Sequence, residues 1–169
     1  HNMDAEMENP GKQLESVARY ENTALKFPGT RVLLLNIKRG ENEIFIKNLN
    51  LHLNSFGTFH PRVVVLFDEN VDITDYRLSC WVALNNIDPL RDISILPHNN
   101  DQVLLLDATS KEPGRNNFSR QWPNIIVMDN ETINNIDKKW PEIFSHTFIE
   151  SPSLKSCKMV GNSGAVANP

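Results

Sequence analysis

The chain has 169 residues, of which 40% are hydrophobic and 22% charged, and carries a formal net charge of −4. Those values describe one ordinary globular domain with a core of its own and exclude a disordered chain. The mild negative charge lacks the basic character of a nucleic-acid partner. No apolar run reaches the length of a bilayer span, so no transmembrane segment is expected.

In chain order, His1 and Asn2 precede Met3 as vector-derived residues would, and residues 1–13 read as a flexible lead-in or a severed linker. No apolar signal-peptide core follows, which points to the cytoplasm. Arg31 to Ile37 is a short apolar run after Pro28-Gly29 and reads as a buried strand. A helical pattern follows, with Ile46, Leu49, Leu53 and Phe56 on one face and Gly57 at its stop. Arg62 to Phe67, with three consecutive valines, is a second strand buried on both faces. Asp72 or Thr74 is placed to cap the next helix, with Asp75 in its first turn and Leu78, Trp81 and Val82 turned inward.

Asp88-Pro89 ends that helix. Ile93 to Leu96, bounded by Pro97, is a third strand and Val103 to Leu106 a fourth. Lys111 to Gln121 is a polar loop, Asn124 to Met128 a fifth strand, and Glu131 to Lys139 a short helix. The tail after Phe148, rich in Ser, Gly and Pro, reads as an extended arm. Strands alternating with helices predict a three-layer α/β/α fold around a mostly parallel or mixed central sheet. The domain proper is expected over residues 14–150, and residues 151–169 as the extended tail.

Few residues carry chemistry. Asp68, Glu69, Asp72 and Asp75 crowd the end of a strand, where open α/β sheets bind ligands, where a hard cation finds oxygen ligands and where a phospho-acceptor aspartate could stand; helix capping and solvation are the favoured account of them. Asp88, Arg91 and Asp92 read as a charged clamp at a helix–strand corner, with a ligand-facing arginine as the alternative. Asp107, Thr109 and Lys111 either order the turn after a strand or hold a phosphate or carboxylate. Cys80 and Cys157 form no Cys-x-x-Cys and are expected as reduced, mostly buried thiols. His1, His52, His60, His98 and His146 have no zinc-ligand spacing, and most of them are expected exposed or half-buried. No nucleophile elbow, dinucleotide fingerprint or Walker loop occurs, and no reaction follows from these residues alone.

A resemblance adds one. Val63-Val-Val-Leu-Phe-Asp-Glu-Asn-Val-Asp-Ile-Thr-Asp-Tyr-Arg-Leu-Ser-Cys-Trp81, followed by Asn85-Asn-Ile-Asp-Pro-Leu-Arg-Asp92, resembles the C-terminal half of UbiD-family decarboxylases without gaps. Asp107-Ala-Thr-Ser-Lys-Glu-Pro-Gly114, Trp122-Pro123 and Ile136-Asp-Lys-Lys-Trp140 fall in family-like order, so the likeness covers residues 30 to 150. It implies the C-terminal, cleft-closing and oligomerisation domain of a non-oxidative aromatic acid decarboxylase in ubiquinone or menaquinone biosynthesis. It also implies prenylated FMN and a divalent metal, both held by the N-terminal cofactor-binding domain of the same polypeptide. The protein would be a homo-oligomer, with no catalytic residue in this chain and no cofactor on the isolated fragment. A stand-alone assembly module with a decarboxylase-derived fold, or a metal-binding domain built on the Asp68 cluster, are the other readings. The chain departs from the family at Asn85-Asn86, where members carry Thr-Arg. It departs again at the short loop Pro97 to Gln102, which leaves Val103 where a lysine would align. Both departures imply a divergent subfamily.

Overall fold

The computed structural model describes residues 24–26, 29–38, 40–111, 113–114, 118–119, 122–123, 125–160 and 166–167. The lead-in over residues 1–13, and His1 with it, lies outside these. The chain divides into two compact units, His1–Ser119 and Arg120–Pro169.

The first unit is built on a five-stranded mixed sheet. Its strands are β1 (Ala24–Lys26), β2 (Val32–Ile37), β3 (Val63–Asp68), β4 (Ile93–His98) and β5 (Asp101–Asp107), in the order β1-β2-β3-β5-β4. The apolar runs at β2, β3 and β5 are parallel, with Val32 opposite Val63 and Val63 opposite Leu104. β1 and β4 run antiparallel to their neighbours at the two edges. The fold is therefore α/β with a mixed central sheet. β4 and β5 form a hairpin closed by Asn99-Asn100, with Asn99 at φ 54, a conformation that asparagine tolerates better than most residues. The short loop seen in the sequence is this turn, and β4 runs on through Pro97 to His98.

The helical pattern after β2 becomes two short helices, α1 (Asn42–Lys47) and α2 (Leu49–Asn54). Asn48 separates them: its side-chain amide donates to the Ile44 carbonyl at 3.1 Å and competes with the helical ladder. Gly57, at φ 62, supplies the left-handed residue after α2. Strand alternation turns Leu33, Leu35, Ile37, Val64, Leu66, Val103 and Leu105 to one face, where Phe45, Leu49 and Leu53 close a core over them. Each such side chain stabilises the fold by about 1.5–3 kcal/mol. On the opposite face Leu34 and Val65 are buried, but cover thins towards β4, where Ile95 is 66% exposed.

α3 (Tyr76–Asn86) follows β3. Its cap is Asp75, whose Oδ1 accepts from the N–H groups of Arg77 and Leu78 at 3.1 and 3.0 Å. Asp72 instead closes an Asx turn by accepting from the Thr74 N–H and hydroxyl, so neither Asp72 nor Thr74 caps the helix. Asp75→Ala is expected to destabilise the unit by about 1 kcal/mol; a urea midpoint unmoved by the substitution would refute the capping role. Val82 is buried as expected, but Trp81 points outward.

In the second unit β6 (Val127–Met128) pairs in parallel with β7 (Val166–Ala167), and α4 (Asn130–Ile143) is capped by Asp129. The fifth strand is thus two residues long and lies in a separate two-stranded sheet; Asn124, where it was expected to start, lies outside the described residues. α4 outruns its expected end at Lys139 and carries Pro141 inside its last turn. Beyond it the chain folds around Trp140, whose ring lies 4.4 Å from Phe144 and 5.5 Å from Phe148, centroid to centroid. The tail is not all extended: α5 (Pro152–Ser156) and a 3-10 turn, Cys157–Met159, lie within it.

One expectation about single residues fails. Cys80 and Cys157 are exposed, not buried. Of the histidines, His60 and His146 are exposed, whereas His52 and His98 are buried: His52 stacks on Phe45 with centroids 4.8 Å apart, and His98 Nδ1 lies 2.8 Å from Asn50 Oδ1. Phe45 and His52 lie on the two successive short helices, both turned to the core side.

Candidate functional site

The six singled-out residues of the corner and the turn meet in one network at the C-terminal edge of the parallel strands. β5 ends at Asp107, and the antiparallel return of β4 starts beside it at Ile93, opposite Leu106. The Asp107 N–H donates to the Asp92 carbonyl at 2.9 Å, which locks the two loops together. Arg91 grips Asp92 with two bonds, Nε to Oδ1 at 2.9 Å and a terminal nitrogen to Oδ2 at 2.7 Å. Asp92 Oδ2 also accepts from the Asp88 N–H at 2.8 Å, and Asp88 lies 3.9 Å from Arg91.

Lys111 enters from the other side, 4% exposed. Its Nζ donates to the Asp107 carbonyl at 2.8 Å and sits 3.4 Å from a carboxylate oxygen of both Asp92 and Asp107. Asp107 Oδ1 takes the Thr109 N–H at 3.0 Å and the Thr109 hydroxyl at 2.5 Å, and its Oδ2 takes the Asn42 amide at 2.7 Å. Two buried carboxylates thus have two cations and a full set of donors, the condition under which buried charge is tolerated.

Burial pushes the Asp92 carboxyl up. The Arg91 bonds, the Asp88 N–H and the Lys111 charge outweigh it and leave Asp92 below the usual carboxylate range. The same bond to Asp92 raises Arg91. Arg91 also lies over the Phe118 ring at 5.2 Å, which ties the segment after Lys111 to the corner. An Arg91→Ala variant is expected to lose about 2 kcal/mol of stability, as charged hydrogen bonds are removed from a buried acceptor; melting at the wild-type temperature would free Arg91 from this structural part.

A cavity of about 560 Å³ opens over the network, lined by Glu43 and Ile46 of α1 with Leu90, Arg91, Asp92 and Asp107 among others. Sequence reading missed Asn42, Glu43 and Phe118. No local signal marks them, because each reaches the corner across the fold. The acidic cluster does not converge: Asp75 caps α3, Asp72 closes a turn and Glu69 is exposed. Asp68 alone is buried; its Oδ2 accepts from the Ser110 N–H at 2.8 Å, while Oδ1 has no hydrogen-bond partner among the described residues.

The family model for the 3-octaprenyl-4-hydroxybenzoate carboxy-lyase C-terminal domain matches residues 28–130, which hold every residue of this network. The chain belongs to that family. A protein of Archaeoglobus fulgidus is 33% identical over 95 residues, 48% of this chain and 20% of that protein. The vanillic acid decarboxylase of Sedimentibacter hydroxybenzoicus shares the fold in its closed form, with a TM-score of 0.52 at 18% identity over 79% of this chain and 31% of that one. Its open form gives 0.50 at 16%, over 78% and 31%. The UbiD-class enzyme HmfF of Pelotomaculum thermopropionicum, in complex with prFMN, gives 0.45 at 22%, over 64% and 25%. This chain thus spans a fifth of the curated relative and about three tenths of the decarboxylase.

Within this UbiD C-terminal domain the network does not fit a divalent metal. The carboxylate oxygens of Asp92 and Asp107 already accept from nitrogen and hydroxyl donors, and no group of three His, Cys, Asp or Glu is placed to hold a metal among the described residues. Nor does it fit the phosphate of a flavin, because Arg91 and Lys111 are both committed to carboxylates. At the departures from the UbiD pattern, Asn86 donates to the Ala108 carbonyl at 2.8 Å and Val103 is buried in the core. No described helix is long and apolar enough to cross a membrane.

Proposed function

We propose that the chain is the C-terminal, cleft-closing and oligomerisation domain of a UbiD-like non-oxidative decarboxylase acting on aromatic acids, with polyprenyl-hydroxybenzoates or related quinone precursors as the substrate class. Prenylated FMN and a divalent metal belong to an N-terminal cofactor-binding domain of the same polypeptide, which works as a cytoplasmic homo-oligomer. The match of residues 28–130 to the carboxy-lyase C-terminal family carries this reading. The chain's share of its relatives, 20% and 31%, supports a domain within a longer enzyme. The open and closed forms of the vanillic acid decarboxylase support a closing movement.

In this reading Asp88, Arg91, Asp92, Asp107, Thr109 and Lys111 are the frame of the moving domain and not its chemistry. A carboxylate held ionised by an arginine has no proton to give near neutral pH, and buried ion pairs do not slide past one another as a domain swings. Chemistry therefore falls to the rest of the enzyme, and the domain's part is to exclude water and fix the acid against the flavin, which supplies the electron sink when bound.

The test compares the longer polypeptide with this chain, each supplied with prenylated FMN, a divalent metal and an aryl acid. Flavin absorbance and CO2 release are expected from the longer polypeptide alone. CO2 release above background from the 169-residue chain would overturn the reading, and a longer polypeptide that binds no flavin would favour a stand-alone assembly module.

A further inference from the structure

The β4–β5 hairpin turns at the end of the sheet opposite the ion-pair network, and a buried imidazole ties that turn to α2. His98, the last residue of β4, is 3% exposed. Its Nδ1 lies 2.8 Å from Asn50 Oδ1 on α2, and its Nε2 lies 3.4 Å from Asn99 Nδ2 in the turn. An amide oxygen only accepts and an amide nitrogen only donates. The ring therefore carries its one proton on Nδ1 and presents a bare Nε2 to Asn99. Turning the Asn99 amide over would not make room for a second proton at no cost. Asn99 Nδ2 also donates to Asn54 Oδ1 on α2 at 3.5 Å, and the reversed amide would set oxygen against oxygen.

The surrounding groups hold the ring neutral. Burial is the largest influence, and with the charge of His60, between α2 and β3, it keeps His98 below the usual histidine range. Asp101, at the start of β5, pulls the other way. That carboxylate is already engaged: it accepts from the Gln102 N–H at 2.9 Å and pairs with Arg62. The Gln102 N–H, with the charges of Arg62 and Arg31, leaves Asp101 below its own usual range. From α2 the partners of the ring and the turn are the neutral amides of Asn50 and Asn54.

We propose that His98 is an acid-released latch: a proton added at Nε2 sets N–H against the Asn99 amide, and the β4–β5 turn lets go of α2. The closed turn holds one proton on the ring, and the opened turn takes a second at the ordinary histidine value of about 6.5. Opening therefore binds a proton and grows as pH falls through that value, while the closed form prevails above it. The movement is local. Residues 98–102 swing at the hairpin while the parallel pairing of β2, β3 and β5 further along the strands is kept.

In the wild-type chain at pH 7, ring-nitrogen chemical shifts are expected to place the His98 proton on Nδ1, and a proton on Nε2 would overturn the latch. Hydrogen exchange is then followed at pH 7 and pH 5 in a His52→Phe background, which removes the other buried imidazole. Protection of the amides of residues 98–102, corrected for the intrinsic effect of pH, is expected to fall about tenfold more than that of Val64 and Leu66 in β3. An equal fall in hairpin and strand would overturn the proposal, because the response would then be global. Asn99→Asp separates the latch from mere packing. Aspartate tolerates the left-handed backbone of Asn99, at φ 54, and offers Nε2 an acceptor, so acid should no longer open the turn. The same fall persisting in Asn99→Asp would overturn the proposal as well.

Discussion

Replacing Lys111 with methionine is expected to destabilise the first unit by about 3–5 kcal/mol, the range for stranding a buried charge by removing its partner. The ammonium is 4% exposed and lies between Asp92 and Asp107. Methionine fills much of the stem's volume, so the loss is electrostatic more than steric. At roughly 2–4 °C per kcal/mol for a chain of this size, the melting temperature should fall by about 10 °C. The double variant Lys111→Met/Asp107→Asn should cost less than the sum of its parts, because the second change removes a charge that the first leaves unpaired. Strict additivity in thermal or urea unfolding would show that the pair does not interact as the distances say.

Acid should weaken the fold well above the pH at which carboxylates titrate. Burial pulls the His52 imidazole from 6.5 down to about 4. Between those values the unfolded chain holds a proton on His52 that the native chain refuses, so stability rises with pH across the window and is lost as pH falls from 6.5 through about 4. A shift of that size corresponds to about 3 kcal/mol. His98, lowered by burial and by the charge of His60, adds to the same slope, whereas Asp92, already below 3.8, acts only in stronger acid. Urea midpoints at pH 7, 5.5 and 4 for the wild type and for His52→Phe test this. The variant should lose most of the slope, and an undiminished slope would remove His52 as its source.

The sequence shows the parallel core plainly, because β2, β3 and β5 are consecutive apolar residues buried on both faces, a pattern few other elements produce. The turn after β5 was readable for a local reason: Asp107, Thr109 and Lys111 lie within five residues. Its union with Asp92 and Asn42 was not, since hydrogen bonds across 65 residues leave no trace in spacing. The direction of β4 was also hidden. A run such as Ile93 to Leu96 looks the same parallel or antiparallel, and only the two-residue turn at Asn99-Asn100 betrays the hairpin. Trp81 was turned the wrong way because a helix with apolar residues on both sides has no phase to read. The single helix expected after β2 failed on one side chain, the Asn48 amide that bonds its own helix.

Both borders of the main sheet are blunt. On one side β1 offers three residues among those described, and on the other β4 carries Pro97, which has no N–H to give. Each device interrupts the row of donors and acceptors along which a further strand would zip. Growth of the sheet by strand addition at these described edges is thereby disfavoured. Any contact this domain makes is thus steered away from backbone pairing and towards its side-chain surfaces, where shape and charge decide the fit.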